Sequence, residues 1–405
     1  MHPRQNSLED CRMQATTIDV GPPTGKEETI ALAEILGLAF DYPVADLTPR
    51  MEQVGLENLR VVRADGRVAG GLWLLPMGQW FGGRSVPTVG ISMVGVAPEY
   101  RGRGAAAQLI KATVQGLHAE GVALSTLYPA TQPLYRSAGY EQAGNYYELR
   151  MPTKSIRVRD RRATVRLAGD ADRPAIEAAY RAYARRSNGT LDRSEFLWQR
   201  VREPRGHEAR GYVAEVDGRI EGYLYVFNKP GKTGGFNLQL TDLVALTERA
   251  GLGLLTFLSS HQSMARQVRW HGHPADPILL LLAEQAHTSR LDISWMVRVV
   301  DVPAALATRG YPAACNGEIH FSVRDDLIPT NHGPFVLKVT EGKAEVAPGG
   351  RAGLEVDIRA LASLYTGYMT AEALAATGRL SGSDLDLATA SAIFAGPSPW
   401  MPDMF

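Results

Sequence analysis

Cysteine is scarce in this sequence, which has 405 residues and 2 cysteines, Cys11 and Cys315. The two lie in very different segments, and no Cys-x-x-Cys pair or Cys/His spacing typical of a metal site occurs. These absences argue against a disulfide framework and against a structural zinc site. They favour a reducing compartment, so we expect a cytoplasmic protein.

Long hydrophobic runs are also missing. The longest, Ile278 to Ala283, is far shorter than the roughly 20 residues that cross a bilayer. The first 20 residues contain no apolar stretch of the signal-peptide type, because charged side chains interrupt them. We therefore expect neither a membrane span nor a secretory leader.

The sequence has no excess of either charge, since Lys plus Arg and Asp plus Glu both number 43. A general nucleic-acid-binding protein would need surplus positive charge against phosphate, so this class is excluded. A hydrophobic share of 45% and a charged share of 21% are typical of a soluble globular protein. The length exceeds that of one ordinary core and predicts about two to four domains.

Apolar periodicity predicts alternating helices and strands in the first 150 residues. The predicted elements are a helix over Glu28–Phe40, a hairpin over Leu59–Leu75 with an Asp-Gly turn, a strand over Val89–Val96, a helix after a Gly/Arg-rich loop, and strands over Val122–Leu127 and Tyr146–Met151. Residues 152–163 follow as a solvated linker, although their five basic residues leave an anion site as the alternative.

An internal sequence repeat indicates that part of the chain is duplicated. The segment Asp65–Trp73 recurs as Asp217–Tyr225, and both copies follow a helical segment and precede a long strand. We interpret this sequence repeat as a duplicated α/β unit.

The pattern changes after Asp301. Here we predict a short helix over Val302–Arg309, strands over Glu318–Val323 and Pro334–Val346, and largely helical structure over Leu354–Thr377. The final segment Gly396–Phe405 is apolar and interrupted by prolines, so we expect it to pack against the rest of the chain.

The segment with the clearest chemistry is the loop Arg101-Gly102-Arg103-Gly104, between a strand and a helix. Its glycines permit close backbone approach, the first helical amides point outward unpaired, and the helix dipole and two arginines add positive charge. Such a loop suits a pyrophosphate. The alternative is a turn that needs glycine for steric reasons and leaves its arginines in water. It is neither a Walker loop nor a GxGxxG fingerprint.

Two motifs resemble those of GNAT acetyltransferases. The strand end Val94–Pro98 with the following Arg-x-x-Gly-x-Ala is similar to the acetyl-coenzyme A loop, and Leu134–Tyr140 is similar to the pattern aromatic, three residues, Gly, aromatic. With the duplicated unit, the altered third segment and the stretches His273–Pro277 and Asp301–Tyr311, the chain resembles the Eis (enhanced intracellular survival) group.

The resemblance implies an α/β (α+β) architecture of two tandem GNAT folds, with mixed sheets flanked by helices, and a sterol-carrier-like α+β domain. The implied divisions are a disordered tail at 1–15, a catalytic GNAT domain at 16–155, a second, degenerate GNAT domain at 156–300, and the sterol-carrier-like domain at 301–405. The second copy lacks one residue between Arg249 and Gly251 and has no matching Tyr, so we expect it to bind no coenzyme. The family also suggests a homohexamer.

The resemblance implies roles for individual residues around acetyl-CoA. Val94, Gly95 and Val96 would offer backbone groups to the pantetheine arm, and Ala130 and Thr131 would line the thioester end. Family members often have Ser at the position of Ala130. The pyrophosphate would be wrapped by the loop and first helical turn: Arg101, Gly102, Arg103, Gly104, Ala105, Ala106 and Ala107.

Tyr135 matches the family's general acid. A leaving thiolate with a pKa of about 8.5 needs a proton, and a phenol with a pKa of about 10 could supply it. The family's base is the C-terminal α-carboxylate, here that of Phe405. The alternatives are that Tyr135 is a core aromatic and that the tail is merely packed.

We therefore expect an acetyl-CoA-dependent N-acetyltransferase acting on primary amines of aminoglycoside, polyamine-like or lysine type. Direct attack in a ternary complex is favoured, because neither cysteine lies near the loop in sequence. Glu34, Asp41 and Asp403 are candidates to attract the cationic amine. No metal is expected, since His271 and His273 have no third ligand nearby in sequence and suit a loop or core role. The alternative is a non-catalytic protein that senses coenzyme A or binds a lipid.

Overall fold

A computed structural model describes residues 17–231, 234–351 and 353–405, so the tail predicted for residues 1–15 lies outside the described residues. The chain divides into two compact units. Unit 1 contains the described residues up to Trp73 together with Met93–Leu109, and unit 2 contains Leu74–Ser92 and Ile110–Phe405. No helix in the described ranges is both long and apolar enough to span a membrane.

The first repeat alternates strands and helices. Its described elements are β1 (Ile18–Gly21), α1 (Lys26–Phe40), α2 (Val44–Val54), β2 (Leu59–Ala64), β3 (Arg67–Phe81), β4 (Arg84–Val96), α3 (Ala105–Ala119), β5 (Leu124–Leu127), α4 (Gln132–Arg136) and β6 (Glu141–Pro152). The helices and strands predicted for this stretch are present, whereas β1, α2 and α4 were not predicted. Within unit 1, β2 pairs antiparallel with both β1 and β3.

The second repeat has the same order of elements around its central hairpin. It contains β7 (Thr164–Leu167), α5 (Arg173–Ala184), β8 (Leu191–Asp192), α6 (Glu195–Arg202), β9 (Arg210–Val216), β10 (Arg219–Pro230), β11 (Phe236–Ala245), α7 (Glu248–Ser259), β12 (Ala265–His271) and β13 (Thr288–Val299). The two Asp-Gly turns have nearly identical backbones, with φ 50° and 78° at Asp65 and Gly66 and φ 50° and 77° at Asp217 and Gly218. The repeated sequence therefore forms a repeated turn.

The third segment forms its own sheet, in the strand order β16-β15-β14-β17-β18. Its elements are α8 (Val302–Thr308), β14 (Gly317–Arg324), β15 (Gly333–Thr340), β16 (Lys343–Pro348), β17 (Leu354–Asp357), α9 (Ile358–Thr366), α10 (Ala371–Ala376), β18 (Leu380–Ser381) and α11 (Asp384–Ile393). The helical prediction for Leu354–Thr377 is wrong at its start, because β17 pairs in parallel with β14, with Leu354 opposite Phe321. Asp357 then caps α9 by accepting a hydrogen bond from the Ala360 amide at 2.7 Å.

The larger sheet of unit 2 joins strands from both repeats, in the order β4, β5, β13, β6, β12, β11, β10, β9, β7. The last strand of the second repeat, β13, lies between two strands of the first. It runs antiparallel to both, with Met296 opposite Leu127 of β5 and Ser294 opposite Asn145 of β6. Since α4 connects β5 to β6, β13 completes the sheet beside the helix that carries Tyr135.

Candidate active site

The predicted pyrophosphate loop lies in unit 1, between β4 and α3. Gly102 and Gly104 have φ of +74° and +85°, a region that side chains with a Cβ rarely adopt, and a Cβ at either position would meet nothing within 4 Å. Glycine is therefore required for conformation rather than for space. The helix begins where the Gln108 amide donates to the Gly104 carbonyl at 3.0 Å.

The N-terminus of α3 is suited to an anion. The amides of its first turn have no acceptor within the helix, and this turn contains no acidic residue. Arg101 and Arg103 are both exposed, and the Arg101 Nε donates to the Val96 carbonyl at 3.1 Å, which ties the loop to the end of the strand. An open, positively charged helix end of this kind fits the pyrophosphate of a coenzyme.

Strand β4 has an unusual backbone just before the predicted pantetheine contacts. Met93 has φ 53°, which is uncommon for a residue with a side chain. Gly95 is buried close to α1, and a Cβ there would lie 2.8 Å from Leu36 Cδ2. Val94 and Val96, on either side of it, are partly exposed.

Tyr135 lies in unit 2, on the short helix α4 and next to the β13 strand that completes the sheet. It is 4% exposed, and its ring meets Tyr140 edge to face at 6.2 Å between centroids. Burial raises the pKa of Tyr135 to about 12. Among the described residues no group hydrogen-bonds to its hydroxyl. Ala130 and Thr131, which precede α4, are exposed.

Gly139 of the Tyr135 motif packs on a buried arginine that sequence reasoning missed. Gly139 has φ +88°, and a Cβ there would lie 2.7 Å from Nη1 of Arg298. Arg298 is fully buried on β13 and pairs with the buried Asp325 of the third segment. Motif spacing could not find Arg298, because it is distant in sequence and belongs to the other repeat.

The C-terminal tail is docked, as its apolar sequence predicted. The Asn145 amide donates to the Pro399 carbonyl at 3.1 Å, and the amides of Trp400 and Met401 donate to the carbonyls of Asn188 and Asn145 at 3.0 and 3.3 Å. Trp400 is 5% exposed and Met401 is 0% exposed. The tail therefore runs beside β6, where Trp400 forms an isolated parallel bridge with Asn145.

The last residue lies in a group of aromatic rings that we call the terminal cluster: Phe405, Tyr128, Tyr146 and His271. Ring centroids are 5.6 Å apart for Phe405 and Tyr128, 5.7 Å for Tyr128 and Tyr146, and 4.2 Å for Tyr146 and His271. Burial lowers the pKa of His271 to about 4, so this imidazole is neutral at physiological pH. The Phe405 ring also covers Gly90, where a Cβ would lie 2.8 Å from it.

The three acids predicted to attract a cation differ in environment. Glu34 and Asp41 are exposed in unit 1. Asp403 is buried in unit 2, where its carboxylate accepts a hydrogen bond from Arg193 Nε at 2.8 Å. The charge of Asp403 is thus engaged by Arg193, a residue that the sequence analysis did not single out.

The second repeat begins its equivalent helix differently. The side chain of Thr247 accepts a hydrogen bond from the Ala250 amide at 3.3 Å and so caps α7, and Glu248 adds a negative charge in the first turn. Arg249 pairs with Asp217 at 2.7 Å. This helix end supplies its own anionic and capping groups.

The His-Gly-His segment has structural contacts. His271 stacks on Tyr146, and His273 Nδ1 accepts a hydrogen bond from the Ala275 amide at 3.1 Å. Within the part of the chain that the structure describes, no group of three His, Cys, Asp or Glu side chains could hold a metal ion.

Family models match three successive parts of the chain. Two acetyltransferase (GNAT) domain models match residues 23–143 and 189–299, and a sterol carrier protein domain model matches residues 302–402. The N-acetyltransferase Eis of Mycobacterium tuberculosis is 30% identical over 75% of this chain and 76% of its own length. An uncharacterized N-acetyltransferase of Streptomyces avermitilis is 29% identical over 80% of this chain and 83% of its own length.

Solved structures agree with these matches. A GCN5-related N-acetyltransferase from Anabaena variabilis has a TM-score of 0.92 at 39% identity, covering 96% of this chain and all of that one. One from Kribbella flavida has a TM-score of 0.85 at 28% identity, covering 96% of this chain and 99% of its own. Eis1 from Mycobacterium abscessus, at 21% identity, shares the fold with a TM-score of 0.79 over 96% of this chain and all of its own.

The predicted architecture of two GNAT folds and a sterol-carrier-like domain is thereby confirmed. The comparisons support an enzyme over the non-catalytic alternative, and GNAT domains imply the use of acetyl-CoA. The chain belongs to the Eis family of GNAT N-acetyltransferases.

Proposed function

We propose that this acetyltransferase acetylates primary amines of aminoglycoside, polyamine-like or lysine type by direct attack in a ternary complex. The observation that carries the proposal is the docked tail, which holds the last residue of the chain in the terminal cluster. Cys315 packs instead against the core formed largely by the third segment, which argues against a cysteine-bound acetyl group.

The coenzyme is assigned to the residues predicted from the motif. Bound acetyl-CoA supplies the acetyl group as a thioester, whose departing sulfur needs a proton. The backbone of Val94–Val96 would hold the pantetheine arm, and Arg101–Ala107 would hold the pyrophosphate. Ala130 and Thr131 would line the thioester end. The positive φ values of Gly102 and Gly104 and the acid-free first turn of α3 support this assignment.

Tyr135 is proposed as the group that holds a proton for the sulfur. With a pKa of about 12 the phenol stays protonated at physiological pH, so it is a permanent hydrogen-bond donor. This pKa lies above the value of about 10 assumed from sequence, so complete proton transfer to sulfur is harder than in water. We therefore assign Tyr135 to hydrogen bonding that strengthens as the sulfur gains negative charge.

The α-carboxylate of Phe405 is proposed to take the proton of the attacking amine. An ordinary α-carboxylate, with a pKa of about 3.5, is a weak base. An apolar environment would raise this pKa and make the carboxylate a stronger base, which the proposal requires. A carboxylate in this position also attracts an ammonium group electrostatically. That Glu34 and Asp41 attract the amine stays a prediction.

The proposal includes the domain organisation. The catalytic copy is assigned to residues 16–155, the copy without coenzyme to 156–300, and the sterol-carrier-like domain, which delivers Phe405, to 301–405. We further propose a homohexamer, which light scattering of the purified protein would test.

The test is thiol release from acetyl-CoA with tobramycin, spermidine and a lysine peptide as acceptors. We expect Tyr135→Phe to lower kcat by about 100-fold, because one positioned donor is lost, with the KM for acetyl-CoA changed less than about threefold. A Gly-Gly extension after Phe405 should lower kcat by a similar factor, because it replaces the terminal carboxylate with an amide.

Tyr365→Phe is the matched control, since it also removes the hydroxyl of a buried tyrosine, one that donates to the Ala305 carbonyl in the third segment. We expect its kinetics to equal those of the unaltered protein. Turnover with none of the three amines would overturn the proposed substrate class. Full activity of Tyr135→Phe or of the extended chain would remove the corresponding residue from the mechanism.

A further inference from the structure

The tail is fixed by a buried ion pair as well as by its backbone. Asp403 lies two positions before the terminus, and Arg193, which binds it, lies on the second repeat just before α6. The side chain of Arg193 is 0% exposed and that of Asp403 is 6% exposed. Two groups 210 residues apart in sequence thus pair without solvent.

Arg193 is itself rigidly held. Its Nη1 donates to the buried carboxylate of Asp242 on β11, which also accepts a hydrogen bond from the Tyr223 hydroxyl at 2.6 Å. The guanidinium carbon lies 3.8 Å from the ring centroid of Tyr180 and 4.8 Å from that of Trp198. An arginine with stacked aromatic faces and a second carboxylate has little freedom to follow a moving tail.

Further contacts fix the tail between Asp403 and the terminus. The Tyr128 hydroxyl donates to the Asp403 carbonyl at 2.7 Å, and Arg200 donates to the Met404 carbonyl at 3.0 Å. Asp403 is therefore held through both its side chain and its backbone. The terminal residue follows within two peptide units, so its position depends directly on this anchor.

We propose that Arg193 is a positioning residue, which through Asp403 holds the carboxylate of Phe405 where the amine reacts. The inference rests on the proposed role of that carboxylate. The second repeat, which lacks the glycine loop of the first, would then contribute to the reaction in the first repeat. The Phe405 carboxylate must be placed accurately, because a small displacement of a catalytic group strongly lowers the rate of the reaction.

The charges of Arg193, Asp242 and Asp403 determine which substitution can test the proposal. Arg193→Met would leave Asp242 and Asp403 as two buried carboxylates without a cation, and such a protein could fail to fold. Asp403→Ala instead leaves Arg193 and Asp242 as a balanced pair within the second repeat. We therefore expect Asp403→Ala to keep its fold while freeing the end of the tail.

The matched control is Asp172→Ala, which also removes one of two carboxylates that pair with the same arginine. Arg166 pairs with Asp172 at 2.7 Å and with Glu215 at 2.7 Å, elsewhere on the second repeat. We expect its kinetics to equal those of the unaltered protein. Asp403→Asn should lie between Asp403→Ala and the unaltered chain, because its amide oxygen can still accept a hydrogen bond from Arg193.

The experiment measures steady-state kinetics and the release of phenylalanine by carboxypeptidase A in the same preparations. For Asp403→Ala we expect kcat to fall about tenfold or more, with the KM for acetyl-CoA within about twofold. Release of Phe405 should accelerate about tenfold or more, because the docked tail must detach before cleavage. Full kcat in Asp403→Ala, or release of Phe405 at the rate of the unaltered protein, would overturn the proposal.

The Gly-Gly extension separates this inference from the proposed function. If the extended chain is inactive and Asp403→Ala retains full kcat, the base assignment stands and the role of Arg193 is wrong. If the extended chain is fully active, the base assignment itself is wrong, and the inference falls with it.

Discussion

The two repeats share a fold, but their helices α3 and α7 begin in opposite ways. Before α3, Gly102 and Gly104 take left-handed conformations, and the first turn contains no acid. Before α7, Thr247 caps the helix with its own hydroxyl and Glu248 follows. One helix end is left open to an anion, whereas the other is closed by its own side chains.

If the coenzyme binds at α3 as proposed, a few residues at one helix end distinguish the binding repeat from the other. Both repeats have the helix, the hairpin and the following long strand, whereas the left-handed glycines before α3 have no counterpart before α7. The second repeat contributes Arg193, which pairs with Asp403 of the tail, and β13, which lies between β5 and β6 of the first repeat.

The largest effect is expected from a substitution that closes the open N-terminus of α3. Gly104→Asp places a carboxylate where the pyrophosphate is proposed and forces a non-glycine residue to φ +85°, a strain of roughly 1–2 kcal/mol. We expect the KM for acetyl-CoA to rise about 100-fold or more, measured by thiol release. Gly206→Asp is the control, since Gly206 has φ +70° with equally open space but lies in the second repeat. An unchanged KM in Gly104→Asp would contradict the loop assignment.

A smaller effect is expected from the loop cations. Arg103→Met should raise the acetyl-CoA dissociation constant about five- to tenfold, and the loss should shrink as salt screens the charge. Arg249→Met removes an arginine from the first turn of α7 and should leave the constant unchanged, because that arginine is engaged by Asp217. Isothermal titration at two salt concentrations measures both. Equal losses from the two variants would show that the repeats do not differ as proposed.

The smallest effect concerns stability alone. Thr247→Ala removes the cap of α7 and should lower the free energy of unfolding by about 1 kcal/mol, with no change in the KM for acetyl-CoA. Urea unfolding followed by circular dichroism measures this loss. A raised KM in this variant would mean that the capped helix end also serves the coenzyme.

Features specified by neighbouring residues were predictable from the sequence. The Asp65-Gly66 turn, the loop around Gly102 and the amphipathic helix α3 all follow from local backbone preferences and periodicity. Leu354–Asp357 was mispredicted as helix because its state is set by pairing with β14, which no local pattern reveals.

The same reasoning explains what was missed in the candidate site. Tyr135 and the tail carry local signals, a motif and an apolar run with prolines. Arg193 and Arg298 do not, since each is ordinary in its own segment and gains its role from a partner far along the chain. The burial that raises the pKa of Tyr135 likewise depends on packing, so sequence alone suggested an ordinary phenol.

The insertion of β13 between β5 and β6 has a consequence for synthesis on the ribosome. The strands on either side of the Tyr135 helix emerge early, but the strand that joins them is among the last parts of the second repeat to be made. Until then both strands expose unpaired edges, which favour pairing with other chains. A fragment that ends after the first repeat would keep these unpaired edges permanently, so the first repeat should aggregate when it is produced alone.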